Sequence, residues 1–397
     1  FFQRLAPSVM IDPLQREFGL DGAAVGNLSA FYFYAYAGMQ VPIGLIVERY
    51  GPRRLLTFGA LVCAAATAGF ALSQSVWLAT ICRFLVGFGA GFSFVSAITL
   101  AARWFPPQRF AQFVGLTMMA GTLGGLLAQG PLGLAVEAVG WRTALLATAG
   151  VGIVLAAALW LVVRDWPPGP AHHAQRHESW AGLVAALARV VTRGQNLILC
   201  LIGAAMTAPM LAFAGLWGVA WLMQTQGYSR PEAGATTSLL LLGWAVGSPL
   251  AGWTSDRLGR RKPVLQVGCL LTLAALLPVL YVSGLAAPLL WLCFALTGAA
   301  AGSMSVAFAL ARSANPESDT GAAFGLLNGA VVASGAVFQP LIGFLLDLGW
   351  EGREEKGVRL YSAETFQLAL SSLVVMLALA LALSFVLREP RGTRSGT

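Results

Sequence analysis

The sequence predicts an all-α integral membrane protein with twelve transmembrane helices in two six-helix halves related by pseudo-two-fold symmetry. Three observations predict this class. Only 11% of the 397 residues are charged and the mean hydropathy is +0.73, whereas a soluble domain carries about a quarter charged residues. Long apolar runs alternate with short charged loops, and a charged motif occurs twice, 208 residues apart.

A helix needs roughly 20 apolar residues to cross the hydrocarbon core, and this length defines the expected spans. They are 1–12, 23–47, 55–72, 76–102, 111–138, 142–163, 195–224, 232–255, 263–283, 287–311, 320–348 and 363–387. The first run is too short to cross. We therefore expect helix 1 to be truncated at Phe1, with roughly ten to fifteen residues preceding it in the full protein.

Residues 164–194 form the longest interior connection and divide the chain. We expect an N-terminal six-helix bundle over 1–163, a linker over 164–194, a C-terminal six-helix bundle over 195–387 and a tail over 388–397. The first half of the linker is rich in proline, histidine and charge. Its second half, Trp180–Val191, has the pattern of a short amphipathic helix on the inner membrane face.

The basic residues set the orientation of the helices. Seventeen of the 25 lie in the loops and tail on one side and six in the loops on the other. Because cytoplasmic loops carry the excess of Lys and Arg, we expect a multi-pass protein of the cytoplasmic (inner) membrane with both termini inside. The net charge of +8 thus reflects topology and membrane lipid, not nucleic acid. We expect a monomer.

Neither a metal centre nor a catalytic set is predicted. All five cysteines fall inside apolar runs without a CxxC pair, as expected of small packing residues. His172, His173 and His177 lie in the linker, where solvated histidines are favoured over a metal cluster because no ligand pattern accompanies them. We therefore expect no cofactor, no metal and no enzymatic activity.

The doubled motif reads GLIVERYGPRR at 44–54 and GWTSDRLGRRK at 252–262. The residues that correspond are Gly44, Glu48, Arg49, Gly51 and Arg53 in the first copy and Gly252, Asp256, Arg257, Gly259 and Arg261 in the second. A glycine before the acid allows a neighbouring helix to approach closely, and the later glycine permits a tight turn. A basic loop that only sets topology is the alternative interpretation, but the acid repeated at the same place in both halves argues for more than topology.

This pattern resembles the signature of the major facilitator superfamily of secondary transporters, where it occupies the loop after the second helix. The resemblance covers the whole chain and implies two six-helix halves that rock against each other. It also implies that the motif latches the halves together on the inner side when the transporter faces outward.

Two arginines, Arg4 and Arg83, lie inside predicted spans. Each lies about eight residues from the expected outer end of its helix, or ~12 Å at 1.5 Å per residue, so both should be at similar depth. An intramembrane arginine is costly unless it faces a cavity or a partner. The segment RFLVGFGAG from Arg83 resembles the family's second motif, and Arg4 falls where its organic-anion and organophosphate branches bind substrate.

Further candidates surround the predicted cavity. Tyr32, Tyr36 and Gln40 follow an i, i+4, i+8 stripe, and interior packing is an equal interpretation of the tyrosines. The repeat offset places aromatic residues opposite them in the C-terminal half. The C-terminal candidates are Phe213, Trp217, Trp244 and Asn328.

These residues favour transport of a small organic anion or amino-acid-like metabolite, uptake more than export, with a coupling proton or counter-anion. The alternative is multidrug or metabolite efflux by proton antiport, although Thr117 and Leu126 stand where the antiporter branch has glycines. A non-transporting receptor on the same fold is a third class. Every acid near a span lies at its end: Asp12, Glu48, Glu137, Asp256 and Asp347.

Overall fold

The computed structural model describes residues 1–40, 42–105, 107–167, 180–316 and 319–389, except for the side chains of 45, 48, 107–112, 114, 115, 118, 180 and 183. Over these ranges the chain is almost entirely helical, which confirms the predicted all-α membrane class. Ten helical segments in the described part are long and apolar enough to cross a membrane. The full count of twelve stays a prediction.

The N-terminal half and linker contain nine helices within the described residues. They are α1 (Phe2–Leu5), followed by a 3-10 turn (Ala6–Val9), α2 (Ile11–Phe18), α3 (Gly22–Met39), α4 (Ile43–Tyr50), α5 (Pro52–Leu72), α6 (Val76–Trp104), α7 (Pro107–Val139), α8 (Trp141–Val162) and α9 (Trp180–Val191).

The C-terminal half follows the same order of long helices, with one outer hairpin. Its elements are α10 (Gly194–Ala208), a π-helical segment (Pro209–Trp217), α11 (Gly218–Gln226), α12 (Arg230–Leu258), α13 (Lys262–Tyr281), α14 (Ala287–Ala301), a 3-10 turn (Gly302–Met304), α15 (Ser305–Ala314), α16 (Thr320–Leu348), β1 (Glu354–Glu355), β2 (Val358–Arg359) and α17 (Ala363–Val386). The two strands pair antiparallel.

Helix 1 runs further than the sequence predicted. The expected end at Asp12 was wrong, because α2 continues to Phe18 and stops at Gly19, whose φ of 64° is left-handed. The charges that suggested an end are paired instead: Asp12 with Arg230 at 2.8 Å and Glu17 with Arg142. These ion pairs therefore let the helix extend past its apolar stretch.

The second predicted span is divided near its inner end. Helix α3 ends at Met39 and α4 begins at Ile43, directly after Pro42. Proline lacks a backbone N–H and its ring blocks the preceding helical turn. Helix α3 alone is 18 residues long, and it is not among the ten segments that are both long and apolar enough to cross a membrane.

Two pairs of helices join the halves at close range, α3 with α16 and α7 with α12. A Cβ on Gly26 of α3 would lie 2.4 Å from the carbonyl oxygen of Gln339, and one on Gly234 of α12 would lie 2.5 Å from that of Gln129. Only glycine fits such contacts, as in other membrane helix pairs that use small residues.

The linker helix occupies the predicted residues and docks on the C-terminal half. Ala186 and Val190 of α9 pack against Ala322 and Ala323 of α16. Arg189 donates to Asp319, just before α16, at 2.7 Å. The helix therefore has a protein partner on one face, where the sequence predicted only the membrane surface.

Candidate functional site

Arg4 lies in a ring of aromatic side chains between α1 and α3. It is 6% exposed, and its guanidinium carbon lies 4.7 Å from the Phe1 ring centre, 5.1 Å from that of Tyr36 and 5.8 Å from that of Phe33. These are cation–π distances. The Nε atom has no hydrogen-bond partner, so this buried charge is only partly compensated.

Arg83 is bound more fully by the protein itself. It is 3% exposed, and its Nη atoms donate to the carbonyl oxygens of Gln3 at 2.9 Å and Ser29 at 3.5 Å. Its Nε also lacks a partner. Arg83 therefore ties α6 to α1 and α3, since it bonds the backbone of both.

Tyr32 and Tyr36 connect the two arginines. Their rings stack at 5.9 Å with 19° between the planes. Arg83 lies 5.3 Å from the Tyr32 ring centre and Arg4 lies 5.1 Å from that of Tyr36. The predicted stripe is thus one face of α3, and both arginines lie beside it.

The charge of this cluster is one-sided. Among the described side chains, no carboxylate lies within the 4 Å of an ion pair from Arg4 or Arg83. Intramembrane charges normally pair with one another or face water. Two guanidinium groups without an acid therefore make a site that favours an anion.

A cavity of about 670 Å³ opens beside this cluster within the N-terminal half. Arg4, Tyr32 and Tyr36 contribute to its wall, and so do Trp104 at the end of α6 and Arg164 just after α8. Most of the wall between them is apolar, with further residues including Leu56, Phe94, Phe105, Phe113, Thr117 and Leu159. The wall residues do not include Arg83, so of the two buried arginines only Arg4 reaches this space.

Gln40 and Asn328 contact each other instead of lining the cavity. The Asn328 amide donates to Gln40 Oε1 at 2.6 Å, and the Gln40 amide lies 3.3 Å from the Tyr36 carbonyl oxygen. This bond crosses from α16 to α3. Both residues therefore join the two halves next to the tyrosine stripe.

The aromatic candidates of the C-terminal half are packing residues in this structure. Trp217 is fully buried and donates to the Gln339 carbonyl at 2.9 Å. Phe213 stacks on Phe294 at 5.5 Å, and Trp244 packs against the core. None of the three lines the cavity described here. The N-terminal half supplies both the cationic and the aromatic wall residues of this cavity.

The first copy of the doubled motif makes its described contacts inside its own half. Gly51 has a φ of 82°, and the Arg53 backbone N–H donates to Asp165 at 2.7 Å. The Arg53 side chain bonds the Trp160 carbonyl, while Gly44 and Arg49 are exposed. The Glu48 side chain lies outside the described residues.

The second copy repeats this arrangement. Gly259 is left-handed with a φ of 60°, and the Arg261 backbone N–H donates to Glu389. Asp256 and Gly252 are exposed or half-exposed, and Arg257 lies 4.2 Å from the Trp253 ring centre. A latch between the halves through these residues stays a prediction.

Asp165 and Glu389 were missed by the sequence analysis, although a signal was present. Each lies three residues after the last helix of its half, α8 or α17. Each carboxylate accepts N–H bonds at the start of the third long helix of that half, α5 or α13. Carboxylates stabilise a helix N-terminus, and the sequence signal was an acid two residues after the last predicted span of each half.

The described residues contain no group of three or more His, Cys, Asp or Glu side chains that could hold a metal. The three linker histidines lie outside them. Four of the five cysteines are buried and Cys63 is partly buried, all as free thiols.

Comparison with known proteins adds two relatives and a fold. The probable sulfoacetate transporter SauU of Cupriavidus necator is 24% identical over 67% of this chain, and an MFS-type efflux pump of Mycolicibacterium smegmatis is 26% identical over 70%. The matches span 64% of the length of each relative.

A solved structure shares the fold across almost the whole molecule. A bacterial homologue of the human lysosomal transporter Spinster, in its inward-facing and occupied conformation, aligns with a TM-score of 0.79. The alignment has 20% identity and covers 98% of this chain and 96% of that one. At this identity the likeness concerns the fold.

A family profile described as Major Facilitator Superfamily matches residues 1–219 and, a second time, residues 201–397. Members of this family are membrane transporters, not enzymes. Because the two matches together span the whole sequence, the protein belongs to the Major Facilitator Superfamily.

Proposed function

We propose that this protein transports a small organic anion across the membrane and that Arg4 binds the anionic group. The observation that carries the proposal is the buried Arg4 guanidinium, which lines a cavity and has no carboxylate partner among the described side chains. A carboxylate, sulfonate or phosphate supplies the missing charge and can accept two parallel N–H bonds from arginine.

The name of one relative supports this substrate class. SauU is described as a probable sulfoacetate transporter, and sulfoacetate is a small anion with two acidic groups. Arg83 contacts the Tyr32 ring, which stacks on the Tyr36 ring that Arg4 contacts. It raises the positive potential that a bound anion experiences, although its two Nη atoms already donate to backbone carbonyls.

Transport in this proposal proceeds by alternating exposure of the site to the two sides, with uptake as the direction. The described spans hold their acids at the ends, so a buried carboxylate relay is not part of the proposal. Coupling occurs through a proton carried by the substrate or through exchange for a counter-anion.

The test is uptake of radiolabelled sulfoacetate, followed by a panel of small carboxylates and organic phosphates, into proteoliposomes. Arg4→Ala should reduce saturable uptake at least about tenfold, because hydrogen bonds to a charged group contribute about 1.5–3 kcal/mol. Arg353→Ala is the matched control, since Arg353 is an exposed arginine of the outer loop. Equal uptake by both variants for every anion that the protein carries would refute the proposal.

Multidrug efflux is a second candidate, favoured by the apolar cavity wall and by the relative described as an efflux pump. A pump for lipophilic cations has no use for Arg4 as a ligand. Energised export of ethidium that survives Arg4→Ala, together with no uptake of any anion, would favour this function over the first.

A further inference from the structure

We propose that Asp347 is an outer lock of the transporter: its carboxylate, carried by the C-terminal half, caps the first turn of α3 in the N-terminal half and holds the outer side closed. Asp347 Oδ1 accepts the Gly22 N–H at 2.9 Å and Oδ2 accepts the Ala23 N–H at 2.7 Å. This inference is independent of the substrate.

The start of α3 is prepared for a negative charge. The first N–H groups of a helix have no partner inside the helix, and the helix end carries a partial positive charge. Asp21 satisfies the Ala24 N–H at 2.7 Å. The Asp21 side chain thus accepts from one of the free N–H groups, and the other two, of Gly22 and Ala23, donate to Asp347.

The close approach needed for this contact is built into both helices. A Cβ on Gly22 would lie 2.8 Å from the Tyr361 hydroxyl and 2.9 Å from the Gly343 carbonyl oxygen. A Cβ on Gly343 would lie 2.1 Å from the Gly22 carbonyl oxygen. The two backbones touch at the outer end, so the carboxylate reaches the N–H groups directly.

The C-terminal half holds Asp347 in place by itself. Arg359 donates to Oδ1 at 3.1 Å and the Tyr361 hydroxyl donates to the same atom at 2.8 Å. Gln224 of α11 in turn accepts from the Tyr361 backbone N–H at 2.9 Å. Burial raises the pKa of Tyr361, and the charge of Asp347 acts in the same direction, so the hydroxyl remains a donor at neutral pH.

This arrangement makes the contact reversible. When the halves separate at the outer side, Asp347 keeps Arg359 and Tyr361, while the freed N–H groups of α3 meet water. A second outer contact behaves differently: Arg230 of α12 bonds Asp12 at 2.8 Å and the Val9 carbonyl at 2.6 Å. These partners all lie on the N-terminal half, so Arg230 would lose them on opening.

The test measures how often the outer side opens. Nitroxide labels on cysteines introduced at Arg16 and Glu355 report on it, because both residues are exposed and the Arg16 Cα would lie 3.6 Å from a Cβ on the nearby Gly357. Pulsed dipolar spectroscopy in nanodiscs then gives the fraction of molecules with a long separation. A sample without the introduced cysteines gives the background from native thiols.

Asp347→Asn should raise the ratio of open to closed molecules about fivefold or more, because the charge-assisted bonds to the helix start are weakened, and Asp347→Ala should raise it further. Glu351→Gln is the matched control, since it removes the same charge from an exposed outer residue that pairs with Arg353. Tyr361→Phe keeps the carboxylate and should give a smaller rise. Distance distributions in Asp347→Asn and Asp347→Ala that match Glu351→Gln would overturn the proposal.

Discussion

The two halves of the molecule treat buried charge in opposite ways. The N-terminal half buries Arg4 and Arg83 with aromatic rings and backbone carbonyls around them. The C-terminal half buries Asp319, which is 1% exposed, but the linker supplies two arginines to it: Arg189 at 2.7 Å and Arg193 at 3.3 Å.

The difference separates charge that holds the structure from charge that is available to a ligand. A buried ion pair with good geometry offsets the cost of leaving water, whereas a buried charge without its partner is strongly destabilising. The Asp319 cluster stabilises the docking of α9. The Arg4 site instead carries a cost that a bound anion would relieve.

Replacing Arg4 by an apolar side chain of similar length tests this difference between the halves most directly. Arg4→Met should abolish stabilisation by the anion that we propose as the substrate and raise the melting temperature of the ligand-free protein. A buried charge without a charged partner carries the cost of leaving water, and a packed apolar side chain of similar size does not. Thermal unfolding in detergent, with and without the anion, measures both effects.

A lower melting temperature for ligand-free Arg4→Met would mean that Arg4 is a structural residue like Asp319. The comparison would then fail, because both halves would use their buried charge for stability.

Arg83 allows a structural and a ligand-binding arginine to be compared within the N-terminal half. Arg83→Met removes the donors to the Gln3 and Ser29 carbonyls, so it should lower the melting temperature. The free energy of unfolding should fall by about 1–3 kcal/mol because these carbonyl groups are left without partners. The same thermal unfolding assay measures it beside Arg4→Met. The melting temperature is expected to change in opposite directions in the two variants. A change in the same direction would show that the two arginines have the same role.

The sequence was sufficient for the fold because the membrane imposes it. Helix length, loop charge and the doubled motif depend on short stretches of the chain, and the family resemblance was confirmed. The depth of a side chain in the membrane could also be predicted from its distance to the helix end. Arg4, Arg83, Tyr32 and Tyr36 accordingly lie close together.

The direction in which a side chain points around its helix could not be predicted from the sequence in the same way. The repeat offset placed Phe213 and Trp217 on a cavity wall, but every residue of the π-helical segment Pro209–Trp217 is buried. Phe213 packs on Phe294, and Trp217 donates to the Gln339 carbonyl. Arg83 was likewise expected to line the cavity, and only three-dimensional packing shows that backbone carbonyls already bind it.

The Asp319 cluster allows the comparison to be tested from the side of the C-terminal half. Asp319→Asn removes the charge that pairs with Arg189 and Arg193, so α9 should detach more often from α16. Hydrogen exchange of the α9 amides should become faster, while anion uptake changes less than it does in Arg4→Ala. The bond from Arg189 holds the pKa of Asp319 below its usual range. The pairing is therefore complete above the ordinary aspartate pKa of about 3.9 and is lost only as the pH falls through the lowered value.

Glu364→Gln is the matched control for Asp319→Asn, because Glu364 is an exposed acid in the first turn of α17. Both substitutions remove one negative charge at a helix start, and only the Asp319 substitution removes an ion pair with the linker. Slow, unchanged α9 exchange in Asp319→Asn would show that the apolar contact of Ala186 and Val190 with α16 holds the linker alone. In that case charge in the C-terminal half would contribute little to docking, and the contrast with Arg4 would rest on the N-terminal site.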